Sequence, residues 1–306
     1  MTKRFYSNGK LLLSGEYLVL EGALAFALPT KFGQSMIVKQ TNKPTIKWVG
    51  LDIDGKKWID EEISITDIKS NSTTTDHSTY FETLLQVLRA AHKQNSELLS
   101  QDKIGFEVIT ELTFPRLWGL GTSSTWINNI AQWFNINPYQ LLFESFGGSG
   151  YDIACAQHNQ GLYYTLTDPL QPTVELIDFK PIFADNLYFV YLNKKKDSKE
   201  AIAHFHSKKG NLTYEINQVS AISKEMSTTQ SFVKFQTLIE EHENIMSRVL
   251  NTPTVKQELF SDFPGSIKSL GGWGGDFVLV AHEQDPKHYF QEKGYNTIVN
   301  YCDMIL

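Results

Sequence analysis

Cysteine is almost missing: Cys155 and Cys302 are the only two, and they lie far apart in the chain. A secreted disulfide framework is therefore not expected, and no Cys/His spacing resembles a zinc site. Positive charge is not in excess either, since the formal net charge is −6. Nucleic acid and anionic membrane surfaces have no electrostatic attraction to such a chain, so an anionic ligand needs a local positive site. Long apolar runs are also lacking. The most apolar window, Leu18 to Pro29, contains Glu21, stops at proline and is too short to span a bilayer. Met1 to Gly9 has neither the apolar core nor the cleavage site of a signal peptide, so a cytoplasmic location is expected. There is no internal repeat and no long stretch of disorder-prone composition.

A chain of 306 residues suits two domains better than one small core. Strand-like patterns run over Phe5 to Val19 (with a tight turn at Ser14-Gly15-Glu16), Ala23 to Leu28, Ser35 to Gln40, Ile46 to Val49, Ile63 to Ile65 and Ile104 to Thr110. Asp52 to Lys57 reads as a hairpin connection, and Asn71 to Asp76 as a polar loop. Helical stripes cover Tyr80 to Leu99, Thr125 to Phe134, Pro138 to Phe146 and Tyr151 to Gln157, followed by a strand at Gly161 to Leu166. A boundary falls near Pro181 to Asn186, which divides the chain into 1–183 and 184–306. Beyond it come a strand at Leu187 to Leu192 and a helix opened by Asp197 and Glu200 at capping-box spacing. Several helices between Leu212 and Phe260, a strand at Val278 to Ala281, a helix at Pro286 to Glu292 and a last strand at Thr297 to Ile305 complete the reading. Strands and helices mixed in runs, without regular alternation, predict an α+β fold.

Glycine marks the chemistry. Pro115-Arg116-Leu117-Trp118-Gly119-Leu120-Gly121-Thr122-Ser123-Ser124-Thr125 places two glycines and a run of hydroxyl residues directly before a helix. Glycine lets the main chain approach a ligand closely, and unpaired first-turn amides with the helix dipole favour negative charge. Read alone, the same stretch is also an ordinary capped helix. Gly9-Lys10-Leu11-Leu12-Leu13-Ser14-Gly15-Glu16-Tyr17 puts a lysine at the head of an apolar strand. That is costly unless its ammonium meets water or an anion. Gly147-Gly148-Ser149-Gly150-Tyr151-Asp152-Ile153-Ala154 sets Asp152 at the mouth of a helix, where the dipole alone would favour it. A fourth cluster is Ser269-Leu270-Gly271-Gly272-Trp273-Gly274-Gly275-Asp276. The run Lys194-Lys195-Lys196 with Lys199 reads either as a solvated surface turn or as a site for a substrate phosphate or carboxylate.

In this order the four motifs resemble the GHMP kinases, a superfamily that includes galactokinases, homoserine kinases, mevalonate kinases and phosphomevalonate kinases. Leu-Leu-Ser-Gly-Glu-Tyr, Gly-Ser-Gly-Tyr-Asp and Gly-Gly-Asp look most similar to the mevalonate and phosphomevalonate branch, and the N-terminal sugar signature of galactokinases is absent. The resemblance spans Gly9 to Asp276. It implies an N-terminal domain like domain 2 of ribosomal protein S5, a C-terminal ferredoxin-like domain, and an active site between them. It also implies ATP and Mg²⁺, a small-molecule acceptor of the mevalonate-acid type, and a monomer or homodimer with no nucleic-acid or membrane partner.

Carried over residue by residue, the resemblance gives Gly119, Leu120, Gly121, Thr122, Ser123 and Ser124 to the ATP phosphates, with Ser123 as a Mg²⁺ ligand. Asp152 becomes the general base and Lys10 the cation that stabilises the transferring phosphoryl group. Glu16 and Tyr17 approach the acceptor, and Gly271, Gly272, Trp273, Gly274 and Gly275 close against the site. Glu144, the nearest carboxylate upstream of the Asp152 turn, is the candidate second metal ligand. Thr122 and Thr125 stand where serine and alanine are usual. Trp273 interrupts a turn that is normally Gly-Ala-Gly-Gly-Gly, so it is expected to shape the acceptor pocket or narrow access to it. Open alternatives are a kinase for a sugar or amino-alcohol, an ATP-dependent decarboxylase of the same superfamily, and a non-catalytic nucleotide-binding regulator.

Overall fold

The computed structural model describes residues 2–70, 78–101, 103–195, 202, 205 and 210–306. Two sheets organise it. The first contains seven strands: β1 (Thr2–Ser14), β2 (Ala25–Thr41), β3 (Thr45–Leu51), β4 (Lys57–Ser64), β5 (Gly105–Leu112), β6 (Gly161–Thr165) and β7 (Thr173–Ile177). Their pairing runs β4-β3-β5-β2-β6-β7, with β1 antiparallel to β2 along most of its length. Helices α1 (Ile65–Lys69), α2 (Thr79–Gln94), α3 (Thr122–Phe134), α4 (Pro138–Ser145) and α5 (Tyr151–Gln157) accompany this sheet. The second sheet, in order β11-β8-β10-β9, is built from β8 (Leu187–Tyr191), β9 (Ser266–Ser269), β10 (Phe277–Ala281) and β11 (Ile298–Asn300). Its helices are α6 (Thr213–Thr228), α7 (Phe232–Leu250), α8 (Val255–Leu259), α9 (Lys287–Glu292) and α10 (Tyr301–Met304).

One apolar cluster joins the two halves. Leu11, Leu13, Phe26 and Leu28 of β1 and β2 pack with Phe235 and Leu238 of α7 and with Phe277 and Leu279 of β10. A second cluster, centred on Trp48, Trp126 and Trp133, lies between the first sheet and α2–α4. Because the first cluster is continuous across both sheets, residues at the end of β1 face residues more than 200 positions away.

The structure corrects several boundaries. The two expected strands flanking Pro29 are one 17-residue strand, since Pro29 sits opposite Lys10 at a bulge in β1 where ladder bonding is already interrupted. The last expected strand, Thr297 to Ile305, is a three-residue strand followed by α10, whose apolar Tyr301 and Met304 turn inward at helical spacing. Helix α3 starts at Thr122 rather than Thr125, so the hydroxyl residues belong to its first turn. β7 and β9 are short strands that periodicity did not reveal. The Asn71–Asp76 loop and the helix opened by Asp197 and Glu200 lie outside the described residues.

Candidate active site

The placement of α3 comes from buried polar side chains. Ser7 Oγ donates to Asn129 Oδ1 at 2.8 Å, Asn128 Nδ2 donates to Ser7 Oγ at 2.9 Å, and Asn129 Nδ2 donates to the Gln34 carbonyl at 3.0 Å. These bonds give the helix one rotation against β1 and β2, since any slip would leave buried amides unpaired. Its N-cap, Gly121, is left-handed at φ 95° and supplies no side-chain cap. The first-turn amides of α3 therefore open onto a cavity of about 510 Å³ that Gly119, Gly121, Thr122, Ser123 and Ser124 line. The α5 N-terminus opens onto the same cavity, again behind a left-handed glycine, Gly150, with no side-chain cap.

Lys10 reaches the space between those helix ends. The bulge at Gly9 permits this: a Cβ there would lie 2.6 Å from Thr30 Oγ1 and 2.9 Å from the Leu120 carbonyl. The Lys10 N–H donates to that Leu120 carbonyl at 3.0 Å, which ties the glycine-rich loop to β1. The Lys10 ammonium lies 5.5 Å from the centre of the Tyr151 ring. Burial works against its charge, but Tyr151, Asp152 and Asp276 outweigh burial and raise its pKa. Burial raises the pKa of Asp152, and Lys10 and the Ile153 N–H, which donates to its Oδ1 at 3.1 Å, hold back that rise. The pair is thus a buried ammonium and a carboxyl with more affinity for a proton than an exposed aspartate has.

Asp276 enters from the other half of the chain. It takes the unusual left-handed φ of 54° for a non-glycine residue and lines the cavity. Its carboxyl fills the space that a Cβ on Gly119 would need, 2.4 Å away, so glycine at 119 is required by contact as well as by its φ of 70°. Arg116 and Lys195 line the cavity too. Asp276, Tyr151 and Arg116 lie within or beside the quoted motifs, and the Gly275-Asp276 step was the available signal for the first of them.

Of the expected substrate-side residues, Tyr17, Gly271 and Gly272 line the cavity, whereas Trp273 and Gly274 do not. Trp273 is buried in the shared core: its Nε1 donates to the Pro253 carbonyl at 2.9 Å, and its N–H to the Tyr17 hydroxyl at 3.0 Å. The indole braces the glycine turn from behind instead of shaping the pocket. Glu144 is exposed on α4, accepts from Gln140 Nε2 at 3.0 Å and does not line the cavity, so it is not placed to ligate a metal there. Its helical register points it outward, a property that chain distance from Asp152 does not reveal. Lys195 is exposed at the cavity edge, and Lys196 and Lys199 lie outside the described residues.

Glu16 borders the cavity, but its carboxylate is engaged internally. Lys268 Nζ donates to Oε1 at 2.6 Å, and His242 Nε2 lies 3.1 Å from Oε2. Burial opposes its ionisation, yet the Lys268 ammonium beside it prevails and holds the carboxyl down at about 2. Glu243, in the same cluster, is pushed up to about 7, first by burial. A carboxyl with a raised folded pKa binds its proton more tightly when folded. Its stabilising contribution is present below about 4.5 and lost as pH rises through about 7. Glu243→Gln is therefore expected to flatten the fall in melting temperature between about pH 5 and about pH 8. Thermal unfolding across that range checks this, and an unchanged slope counts against it.

No protein-family model and no curated protein matches the sequence. Solved structures do match over nearly the whole chain. Methanococcus jannaschii mevalonate kinase is 18% identical, with 98% of each chain covered and a TM-score of 0.69. Lactococcus lactis galactokinase, complexed with galactose, is 13% identical over 98% of this chain and 94% of that one, with a TM-score of 0.71. The chain has the GHMP-kinase fold. A third similar structure is Streptococcus pneumoniae phosphomevalonate kinase in complex with phosphomevalonate and AMPPNP, 15% identical over 100% and 98%, with a TM-score of 0.67. The mixed α+β chain with its two sheets matches these structures over nearly its whole length. Among the described residues no helix is long and apolar enough to cross a membrane, and no cluster of three or more His, Cys, Asp or Glu forms a metal-binding group.

Proposed function

We propose that this chain, with units 1–183 and 184–306, is an ATP-dependent small-molecule kinase whose acceptor is a mevalonate-type acid. The observation that carries the reading is the convergence of two uncapped helix N-termini, Lys10 and Asp152 on one cavity within a GHMP-kinase fold. In this reading the amides and hydroxyls of Gly119 to Ser124 hold the nucleotide phosphates. The ammonium of Lys10 neutralises charge on the transferring phosphoryl group. Asp152 orients an acceptor hydroxyl and takes its proton as the oxygen–phosphorus bond forms and the bond to the leaving diphosphate oxygen breaks. A raised carboxyl pKa suits that step, because base strength improves as the pKa approaches the working pH. Transfer to an acceptor phosphate would need no proton removal, so Asp152 favours a hydroxyl acceptor.

Mg²⁺ fits the donor set. The Ser123 hydroxyl and the Asp276 carboxylate line the cavity and would hold the ion, with phosphate oxygens and water filling the rest of the hard-oxygen shell it prefers. Bound there, the ion supplies charge neutralisation to the phosphates. Apolar residues of the lining support an aliphatic acceptor over a sugar: Leu12, Val19, Leu20, Leu142 and Phe146 offer nothing to hydroxyl groups. ADP release measured across mevalonate, phosphomevalonate, diphosphomevalonate, homoserine and sugars tests the reading. Turnover is expected on mevalonate. Turnover only on a sugar or homoserine overturns the acceptor, phosphate release with CO2 identifies a decarboxylase, and ATP binding without any turnover supports a regulator.

A further inference from the structure

Lys268 lies on β9, immediately before the last glycine-rich turn, and its side chain is wholly buried. It donates to Glu16 Oε1 at 2.6 Å and to the Ser269 carbonyl at 3.1 Å, and it lies 3.5 Å from Glu243 Oε1. His242 Nε2 accepts from the Gly15 N–H at 3.2 Å and faces Glu16 Oε2 at 3.1 Å. Ser269 Oγ donates to Glu243 Oε2 at 3.1 Å. Three separate pieces of chain, the turn after β1, helix α7 and strand β9, thus meet in one buried charged cluster.

Such a cluster is an expensive way to fill space. Each ion loses its hydration, and an apolar cluster of the same volume would avoid that loss. Its position explains the choice of residues. Glu16 and Tyr17 form part of the cavity wall, and Tyr17 is held at a left-handed φ of 59°, strained for a non-glycine residue. The Tyr17 hydroxyl accepts from the Trp273 N–H at 3.0 Å, so the same turn also anchors the glycine-rich loop that follows Lys268. Remove the charge at 268 and two buried carboxyl groups lose their cation. The turn that carries Glu16 then keeps its ties from Gly15 to His242 and from Tyr17 to Trp273 but loses its ion pair to Lys268.

We propose that Lys268 is a positioning residue for phosphoryl transfer: through Glu16 it holds the Gly15–Tyr17 turn against the acceptor. The proposal rests on the kinase reading above, and it assigns to Glu16 an internal task instead of direct acceptor contact. Misplacement of an acceptor wall lowers turnover without touching the nucleotide amides.

Three variants test it: Lys268→Met, Lys268→Arg, and the double variant Glu16→Gln/Lys268→Met, which removes the closest ion pair together and leaves Glu243, whose pKa burial already raises, to take up a proton. Lys268→Met is expected to lower kcat roughly 10- to 100-fold and raise the acceptor KM, with ATP affinity near wild type. Lys268→Arg restores part of the loss. The double variant stays folded and remains slow. Hydrogen–deuterium exchange supplies a readout that needs no acceptor: amides over residues 13–20 lose protection in Lys268→Met, and those over 122–134 do not. Wild-type kcat and acceptor KM in the double variant, or unchanged exchange over 13–20, overturn the proposal. If the wild-type protein turns over no acceptor, the kinase reading fails separately, and the exchange result still decides whether Lys268 holds this turn.

Discussion

Asp152→Asn is expected to lower kcat by about a hundred- to ten-thousand-fold while ATP still binds, the range that a positioned general base contributes. Asparagine keeps the shape of the side chain and still accepts the Ile153 N–H, so α5 retains its start. What disappears is the basic oxygen. The effect is large because the native carboxyl is half-buried with its pKa raised, a state that an exposed aspartate near the helix end would not show. Single-turnover ADP formation, together with calorimetric ATP binding, separates chemistry from affinity. A rate near wild type on an acceptor that the native protein uses removes Asp152 from the chemistry.

Lys10→Met is expected to cost about a hundred- to a thousand-fold in kcat, comparable to removing one preorganised donor from a developing anion. The methionine fills similar volume along β1, so the bulge at Gly9 and the N–H bond to Leu120 persist. A second signature follows from the sign of the coupling. Lys10 lowers the Asp152 pKa against the effect of burial. Without the ammonium that pKa rises further, and the acidic limb of the kcat–pH profile moves to higher pH. A lowered rate with an unmoved limb would mean that Lys10 acts on the phosphates alone. An unchanged rate would exclude it from the site.

The linear chain carried much of this site because its parts are local. Gly119 to Ser124 and Gly150 to Asp152 each combine a left-handed glycine with the following helix start, a link that spans only a few residues. Lys10 was conspicuous as a cation heading an apolar run. Element types followed from periodicity wherever a segment was long, as in α2 and β5. Failures came where register or partner mattered. Glu144 looked close to Asp152 along the chain, but the turn of α4 directs it outward. Pro29 looked like a strand end because the bulge that accommodates it lies in β1.

The chain by itself determined the class of fold, the helix starts behind glycine and the Lys10 and Asp152 candidates, since each depends on neighbouring residues and the backbone conformations they permit. The tertiary structure alone decided that Asp276 packs on Gly119, that Trp273 braces rather than lines the pocket, and that Glu16 belongs to Lys268 and His242. Apart from the Trp273–Pro253 bond, those facts depend on contacts between residues more than 150 positions apart. A charge or ring at one position carries no mark of its distant partner until the two sheets share a core and burial makes an unpaired ion too costly to keep.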